Sequence, residues 1–324
     1  MDEGRASGQG RKVLVTGGAG FIGANLCRAL LRDGYSVECL DNLYSGSMDN
    51  IEELLGDERF SFREQDVCEY IDTDAELIYH LACPASPPYY QKDPIFTART
   101  CFEGALSVLK AAKRNNARVL FTSTSEVYGD PLEHPQRESY RGNVNPDGIR
   151  ACYDEGKRIA ETLLFDHSRM YGTDIAVVRI FNTYGPFMQP DDGRVVSNFI
   201  MQALKNEPLT IYGSGDQTRS FCYVDDTVKA LMLVMGTEGF KGPVNIGNDA
   251  EITVGELAER IIEITGSASE TVCRELPKDD PARRRPDLTL IKSITGWSPE
   301  TPLDEGLSAT ASYFRGKLRD KGSK

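Results

Sequence analysis

Tyr153 and Lys157 stand four residues apart in Cys152-Tyr153-Asp154-Glu155-Gly156-Lys157. On a helix that spacing sets both side chains on one face. The apolar positions that follow, Ile159, Ala160, Leu163 and Leu164, carry the helical period onward. An ammonium beside a phenol stabilises the phenolate and lowers its pKa. Such a tyrosine can take a proton from an alcohol. A second reactive group lies in TSTSEVYG, residues 122–129, where the apolar run Val119-Leu120-Phe121 ends in hydroxyls and then a carboxylate, Glu126. A lone glutamate at a strand end is ordinarily solvated, so its role depends on what that strand faces.

The third group is a loop. Lys12-Val13-Leu14-Val15-Thr16 is a short β-rich run, followed by Gly17-Gly18-Ala19-Gly20-Phe21-Ile22-Gly23 and a helical pattern. Glycines at 17, 20 and 23 let the backbone approach a pyrophosphate, whose charge the helix N-terminus stabilises. A second β-rich run ends on Asp41, where a carboxylate can accept hydrogen bonds from an adenosine ribose. No arginine follows in Asp41-Asn42-Leu43-Tyr44, so a 2′-phosphate would meet repulsion; NAD is expected over NADP. With a nicotinamide present, the tyrosine–lysine pair becomes an alcohol-oxidising device. The expected cofactor wall comprises Gly17, Gly20, Phe21, Ile22, Gly23, Asp41, Asn42, Asp66, Val67, Leu81 and Ala82, together with Tyr153 and Lys157.

These groups need a scaffold. β-rich runs at 12–16, 36–40, 59–63, 76–82, 117–122 and 174–180 alternate with helical stretches, among them about 92–115 and 151–171. That alternation predicts an α/β fold, a Rossmann-type doubly wound parallel sheet covered on both faces. Ligands of such sheets bind beyond the carboxyl ends of the strands. Glu126 follows one of those ends and would face the cleft. After Arg179 the pattern changes: 181–194 is rich in turn formers, and helices are expected at 195–205, 225–236, 253–265 and 303–318. The expected division is a flexible tail over 1–11, an NAD-binding domain over 12–180, a substrate lobe mainly over 181–318, and a tail over 319–324. Some segments of the lobe are allowed to return to the first domain.

The 324 residues carry a net charge of −12, which disfavours nucleic acid or an anionic membrane as partner. No run approaches the ~18 apolar residues that span a bilayer. The first ten residues are polar, so no secretory signal is expected and the cytoplasm is the expected location. Eight cysteines include no CxxC pair and are expected as reduced thiols. His80, His134 and His167 show no metal-like spacing, and no metal is expected.

TGGAGFIG, TSTSEVYG and YDEGK together resemble the extended short-chain dehydrogenase/reductase family of nucleotide-sugar enzymes. Longer strings are similar to its UDP-glucuronate decarboxylase branch from about residue 12 to 315: HLACPASP (80–87), TSTSEVYGDPLEHPQ (122–136), CYDEGKR (152–158), RIFNTYGP (179–186), DDGRVVSNFI (191–200) and GDQTRSF (215–221). The resemblance implies NAD-dependent conversion of UDP-glucuronate to UDP-xylose. The C4 hydroxyl is oxidised with Tyr153 as base and Lys157 assisting, CO₂ leaves the 4-keto acid, and the retained NADH reduces C4 again. It implies that Glu126 acts beside C5 and C6, and that Ser125 or Thr124 bonds the C4 oxygen. It also implies Asn182 and Arg219 at the UDP phosphates, Tyr212 near the uracil, and Arg194 and Asn198 in the substrate lobe. In the run Ala282-Arg283-Arg284-Arg285-Pro286-Asp287, Arg284 is the expected partner of the sugar carboxylate or phosphates. A homodimer through a four-helix interface is implied as well, formed by the helices near 92–115 and 151–171.

Two positions depart from the family pattern. Cys101 stands where an asparagine is usual on the cofactor side, and Phe187 stands where arginine usually follows Tyr184-Gly185-Pro186. The alternatives are a 4-epimerase or 4,6-dehydratase of the same fold, or a non-catalytic NAD-sensing protein. Related epimerases lack the glutamate, and dehydratases precede it with aspartate where this chain has Ser125. Retention of both Tyr153 and Lys157 disfavours a silent sensor.

Overall fold

The computed structural model describes residue 8, residues 10–275 and residues 283–322. Six strands come first: β1 (Lys12–Thr16), β2 (Ser36–Asp41), β3 (Phe60–Glu64), β4 (Leu77–His80), β5 (Arg118–Thr124) and β6 (Ile175–Ile180). Shorter ones follow: β7 (Thr183–Tyr184), β8 (Leu209–Tyr212), β9 (Thr218–Ser220), β10 (Cys222–Tyr223), β11 (Val244–Ile246), β12 (Glu251–Thr253) and β13 (Thr271–Arg274). The helices are α1 (Phe21–Arg32), α2 (Pro87–Lys92), α3 (Pro94–Arg99), α4 (Ala105–Asn115), α5 (Ala151–Tyr171), α6 (Val195–Leu204), α7 (Val224–Gly236), α8 (Val254–Thr265), α9 (Thr289–Thr295) and α10 (Leu303–Gly322).

The central sheet runs β3-β2-β1-β4-β5-β6-β11, and every pairing in it is parallel. This is the expected Rossmann-type architecture. Strand order reverses between β1 and β4, which opens a crevice at their carboxyl ends. All seven positions of β5 are buried, as a strand covered on both faces requires. Each of Val119, Leu120 and Phe121 gains roughly 1.5–3 kcal/mol from that burial. On one face α1 and α7 meet the sheet through Leu26, Leu30, Leu231 and Val234. A second core is built from α6, β8, α8 and α10, with Phe199, Ile200, Ile211, Leu257, Leu307 and Phe314 inside. Its α8 starts with a capping box: Thr253 Oγ1 accepts from Glu256 N at 3.1 Å, and the Glu256 carboxylate accepts from Thr253 N at 3.0 Å. That box fixes the helix start by about 1 kcal/mol.

Several boundaries differ from expectation for identifiable reasons. The helix expected near 92–115 is interrupted at Asp93, because Pro94 disfavours helical backbone in the residue before it. Asp93 turns this to use by capping α3, accepting from Phe96 N at 2.9 Å. A π-helical turn, Thr100–Gly104, then joins α3 to α4. At the N-terminus, packing begins within the expected tail: Gly8 is buried against the Tyr35 ring, and Arg11 pairs with Glu76 at 3.2 Å. Residues 1–7 and 9 of that tail, Ala282 of the arginine run, and residues 323–324 lie outside the described residues. Past the expected end at 318, α10 continues to Gly322. In α5, Leu164 is buried in the core and Leu163 packs partly against it, whereas Ile159 is exposed. Among the described residues no helix is long and apolar enough to cross a membrane.

Candidate active site

A cleft of about 610 Å³ runs along the carboxyl ends of the strands and between the two cores. Its first wall is the loop after β1. Gly17 adopts φ +74°, and a Cβ there would fall 2.7 Å from the Ala82 backbone nitrogen, so this loop needs glycine to touch the one after β4. At Gly23 a Cβ would fall 2.1 Å from Gly17 O, which seats α1 tightly on the loop. The start of α1 has no side-chain cap and no acid in its first turn. Backbone N–H groups and the positive end of the helix dipole are therefore directed at the cleft, the chemistry a pyrophosphate requires. Asp41 accepts from Leu43 N at 2.8 Å and Ala19 N at 3.1 Å. Burial pushes its carboxyl up, and those two amides only partly oppose the shift. The residues present fit a dinucleotide.

All the other residues expected at the cofactor line this cleft, but Asp66 does not. Its carboxylate accepts from Asn42 Nδ2 at 3.1 Å and from Cys68 N at 2.8 Å. It therefore orients Asn42 and the wall residue Val67.

Tyr153 and Lys157 share one face of α5, as their spacing predicts, and both are buried. The Lys157 ammonium lies 5.9 Å from the centroid of the Tyr153 ring and donates to Thr122 O at 2.8 Å. Tyr90 stacks on Tyr153 at 5.2 Å with 4° between ring planes. The expected lowering of the phenol pKa is not what the protein alone provides. Burial comes first and holds the phenol well above its ordinary value, the charges of Cys83, Cys101 and Glu126 add to this, and a hydrogen bond with Thr124 opposes it. Two of the hydroxyls between 122 and 125 are structural. Thr122 bonds His80 O at 3.1 Å, and Ser123 donates to Glu161 at 2.5 Å.

Glu126 follows directly. Thr124 Oγ1 accepts from Glu126 N at 3.2 Å and starts the 3-10 turn that carries the carboxylate. That carboxylate sits between two guanidinium groups, Arg284 on one oxygen and Arg150 on the other. Arg284 is buried and also donates to Ser125 Oγ at 3.1 Å and Gly129 O at 2.9 Å. Burial alone would raise the Glu126 pKa, but Arg284, then Arg150, pull it below the ordinary value. Glu126 is thus a clamped anion with little solvent around it.

Arg150 and Asp154 belong to this cluster and escaped the sequence reading. Arg150 lines the cleft at the start of α5, with Asp154 one turn on at 3.9 Å. Their i, i+4 spacing was a usable signal. Asp154 is buried, and burial first and Glu126 second push its carboxyl up to about 7, against Arg150 and Arg284. Its Oδ1 has no hydrogen-bond partner among the described residues. A folded-state pKa above the ordinary 3.8 means that the native protein holds a proton which the unfolded chain releases. The associated stability is complete at low pH and is lost as pH rises through about 7. Asp154→Asn is expected to remove this loss. Relative to the variant, the wild type should lose about 2–3 kcal/mol between pH 5 and pH 8 in urea unfolding. A pH-independent difference would exclude Asp154 titration as its source.

On the opposite wall, Asn182, Arg194, Asn198, Tyr212, Arg219 and Arg284 all reach the cleft. Arg194 is held by Asp192 at 2.6 Å, Asn198 donates to Gly193 O at 3.1 Å, and Arg219 pairs with Arg284 through a backbone β-bridge. That bridge carries the arginine run to the end of β5. Phe187 does not line the cleft. It has φ +72° and lies under the Arg28 guanidinium at 3.8 Å, an internal contact between α1 and the loop.

A family model described as the NAD dependent epimerase/dehydratase family matches residues 13–247. The chain is 52% identical over 309 residues to UDP-glucuronic acid decarboxylase 6 of Arabidopsis thaliana, covering 95% of this chain and 90% of that one. Among solved structures it resembles the UDP-glucose 4-epimerase of Thermotoga maritima with UDP-glucose. The TM-score is 0.86 at 32% identity, over 95% of this chain and 99% of that chain. It also resembles the UDP-glucuronic acid 4-epimerase of Bacillus cereus in complex with UDP-glucuronic acid and NAD. There the TM-score is 0.85 at 27% identity, over 94% of this chain and 99% of that chain.

Proposed function

The chain belongs to the NAD-dependent epimerase/dehydratase family, and from that premise we propose that it converts UDP-glucuronate to UDP-xylose and CO₂. One observation carries the reading beyond the family. Beside the tyrosine–lysine pair, a half-buried carboxylate and two arginines form a corner suited to a sugar acid rather than a neutral sugar.

The loop after β1 and Asp41 would hold NAD⁺, which when bound would supply the hydride acceptor and donor for the sugar C4 and a positive ring charge that favours phenolate. Tyr153 takes the C4 hydroxyl proton and gives it back when C4 is reduced. Ser125 or Thr124 holds the C4 oxygen. A ketone at C4 lies β to the C6 carboxylate, so the C5–C6 electron pair flows toward that carbonyl as CO₂ leaves. Arg284 offers a planar fork to the sugar carboxylate. Glu126 serves the proton that C5 must then gain. Lys157 holds the floor of the site through Thr122 O. Asn182 and Arg219 meet the diphosphate, Tyr212 the uracil, and Arg194 and Asn198 the rest of the substrate wall.

The test is direct. Purified protein with UDP-glucuronate and NAD⁺ should release CO₂ and yield UDP-xylose, identified by mass spectrometry and NMR. A C4-inverted UDP-sugar acid without CO₂ would overturn the reading in favour of an epimerase, and unchanged substrate would favour a non-catalytic NAD-binding role.

The same reading assigns the cofactor mainly to residues 12–180 and the sugar nucleotide mainly to 181–318. It includes a cytoplasmic location, in keeping with eight free thiols. It also includes a homodimer. Ile95 on α3, Phe102 on the π-helical turn and Ile159 on α5 are exposed apolar side chains on the helices that would form the interface. Light scattering at micromolar concentration should report about twice the 35.8 kDa chain mass. A persistent monomer would sink the dimer.

A further inference from the structure

We propose that Cys83 and Cys101 form a peroxide-sensitive thiol pair at the inner edge of the cofactor cleft, one that closes to a disulfide. Their sulfurs lie 3.2 Å apart, though 18 residues separate them in sequence. About 1 Å of further approach reaches the bonding distance of ~2.05 Å. Cys83 lies in the loop after β4, is partly exposed and lines the cleft. Cys101 is buried in the π-helical turn Thr100–Gly104. It is boxed in from behind, since a Cβ on Gly156 would fall 2.9 Å from its sulfur. The buried thiol therefore has little room to turn away from its partner.

The electrostatics support the same division of roles. Burial pushes the Cys83 thiol up, but a hydrogen bond from Cys101 and the charge of Lys157 outweigh it and leave Cys83 below its ordinary value. Cys101 is held well above its own, chiefly by that hydrogen bond. Cys83 is thus the attacking thiolate and Cys101 the resolving thiol. The Cys83 sulfur attacks one peroxide oxygen, the O–O bond breaks, and sulfenic acid and hydroxide form. Cys101 then gives up its proton and attacks the sulfenic sulfur, so that the S–S bond forms, the S–O bond breaks and water leaves. In sum, two thiols and hydrogen peroxide give a disulfide and two waters.

The structure gives the reaction a direction of control. Peroxide reaches Cys83 from the cleft, and the Cys83 loop is continuous with Ala82, on which Gly17 rests. Bound NAD⁺ should therefore shield the pair, and the closed disulfide should weaken NAD⁺ binding. The experiment treats the full-length protein with hydrogen peroxide, with and without NAD⁺, followed by alkylation and tandem mass spectrometry. The expected result is loss of two free thiols per chain, a Cys83–Cys101 link lighter by two hydrogens, reversal by dithiothreitol, and slower linking with NAD⁺. Cys101→Ser and Cys83→Ser should each fail to link, and calorimetry should show their NAD⁺ binding unaffected by peroxide. Any of these would overturn the proposal: no thiol loss, links confined to Cys68 or Cys152, or undiminished peroxide sensitivity in both variants. No shielding by NAD⁺ would overturn access through the cleft. These readouts do not require decarboxylase activity, so they stand or fall separately from the proposed reaction.

Discussion

Tyr153→Phe is expected to lower turnover by at least ~10²–10⁴-fold, the usual contribution of a positioned proton-transfer group, while leaving NAD⁺ binding within a few-fold of the wild type. The substitution deletes one oxygen and with it the hydrogen bond to Thr124. The ring keeps its stack on Tyr90 at 5.2 Å and its buried seat on α5. Lys157 keeps its anchor, because its ammonium donates to the Thr122 carbonyl and not to the phenol. Neither a cavity nor an orphaned charge results, so lost activity cannot be ascribed to lost folding. The wild type should show a second signature of the same group. Burial holds the phenol above its ordinary value, so the reactive phenolate is scarce at low pH. Turnover should rise with pH until another group intervenes. Steady-state kinetics across pH, with calorimetry for NAD⁺, would check both. Near-normal turnover in Tyr153→Phe would remove the phenol from the mechanism.

What the sequence made legible was what lies close together along the chain. Gly17, Gly20 and Gly23, Asp41, and the Tyr153–Lys157 pair all fall within single strand–turn–helix units, where spacing fixes geometry. The alternation that produced β1 to β6 is likewise local. Features resting on distant encounters were poorly legible. Glu126 and Arg284 are 158 residues apart, and no spacing rule joins them; Glu126 stands out by its place at a strand end and takes its role from family resemblance, Arg284 rests on the resemblance, and their contact emerges only in the fold. The Cys83–Cys101 contact likewise needed both the loop after β4 and the π-helical turn. The direction of the Tyr153 shift was missed because an i, i+4 argument contains no burial. In the fold, a carbonyl from β5 takes the ammonium while Tyr90 covers the ring. The break before Pro94 was different. Asp93-Pro94 was visible in the sequence, and the restriction on the residue before proline was enough to predict it.

Glu126→Gln should slow the loss of CO₂ far more than the oxidation at C4, and it tests the most specific part of the proposed reaction. Glutamine keeps the size and one acceptor but has neither a charge nor a titratable proton. In the protein burial pushes the carboxylate up, and Arg284 first, then Arg150 and Arg219, outweigh it and hold the carboxylate below its ordinary pKa. A substrate carboxylate drawing on Arg284 would weaken that compensation, and burial would then drive Glu126 toward the protonated form. Substrate binding would thus load the residue with the proton that C5 requires. The loss in kcat should reach ~10²–10⁴-fold. KM for UDP-glucuronate should hold or fall, since a competing anion leaves Arg284. With C4 oxidation intact, reduced cofactor should accumulate, visible by its absorbance, and 4-keto acid should build up before CO₂ appears. In deuterated solvent any UDP-xylose formed should carry label at C5. If Glu126 only orders the turn beside Ser125, KM should rise instead, turnover at saturation should stay near the wild type, and no reduced cofactor should accumulate. That pattern would leave Glu126 a partner for two arginines and assign the C5 proton to another group.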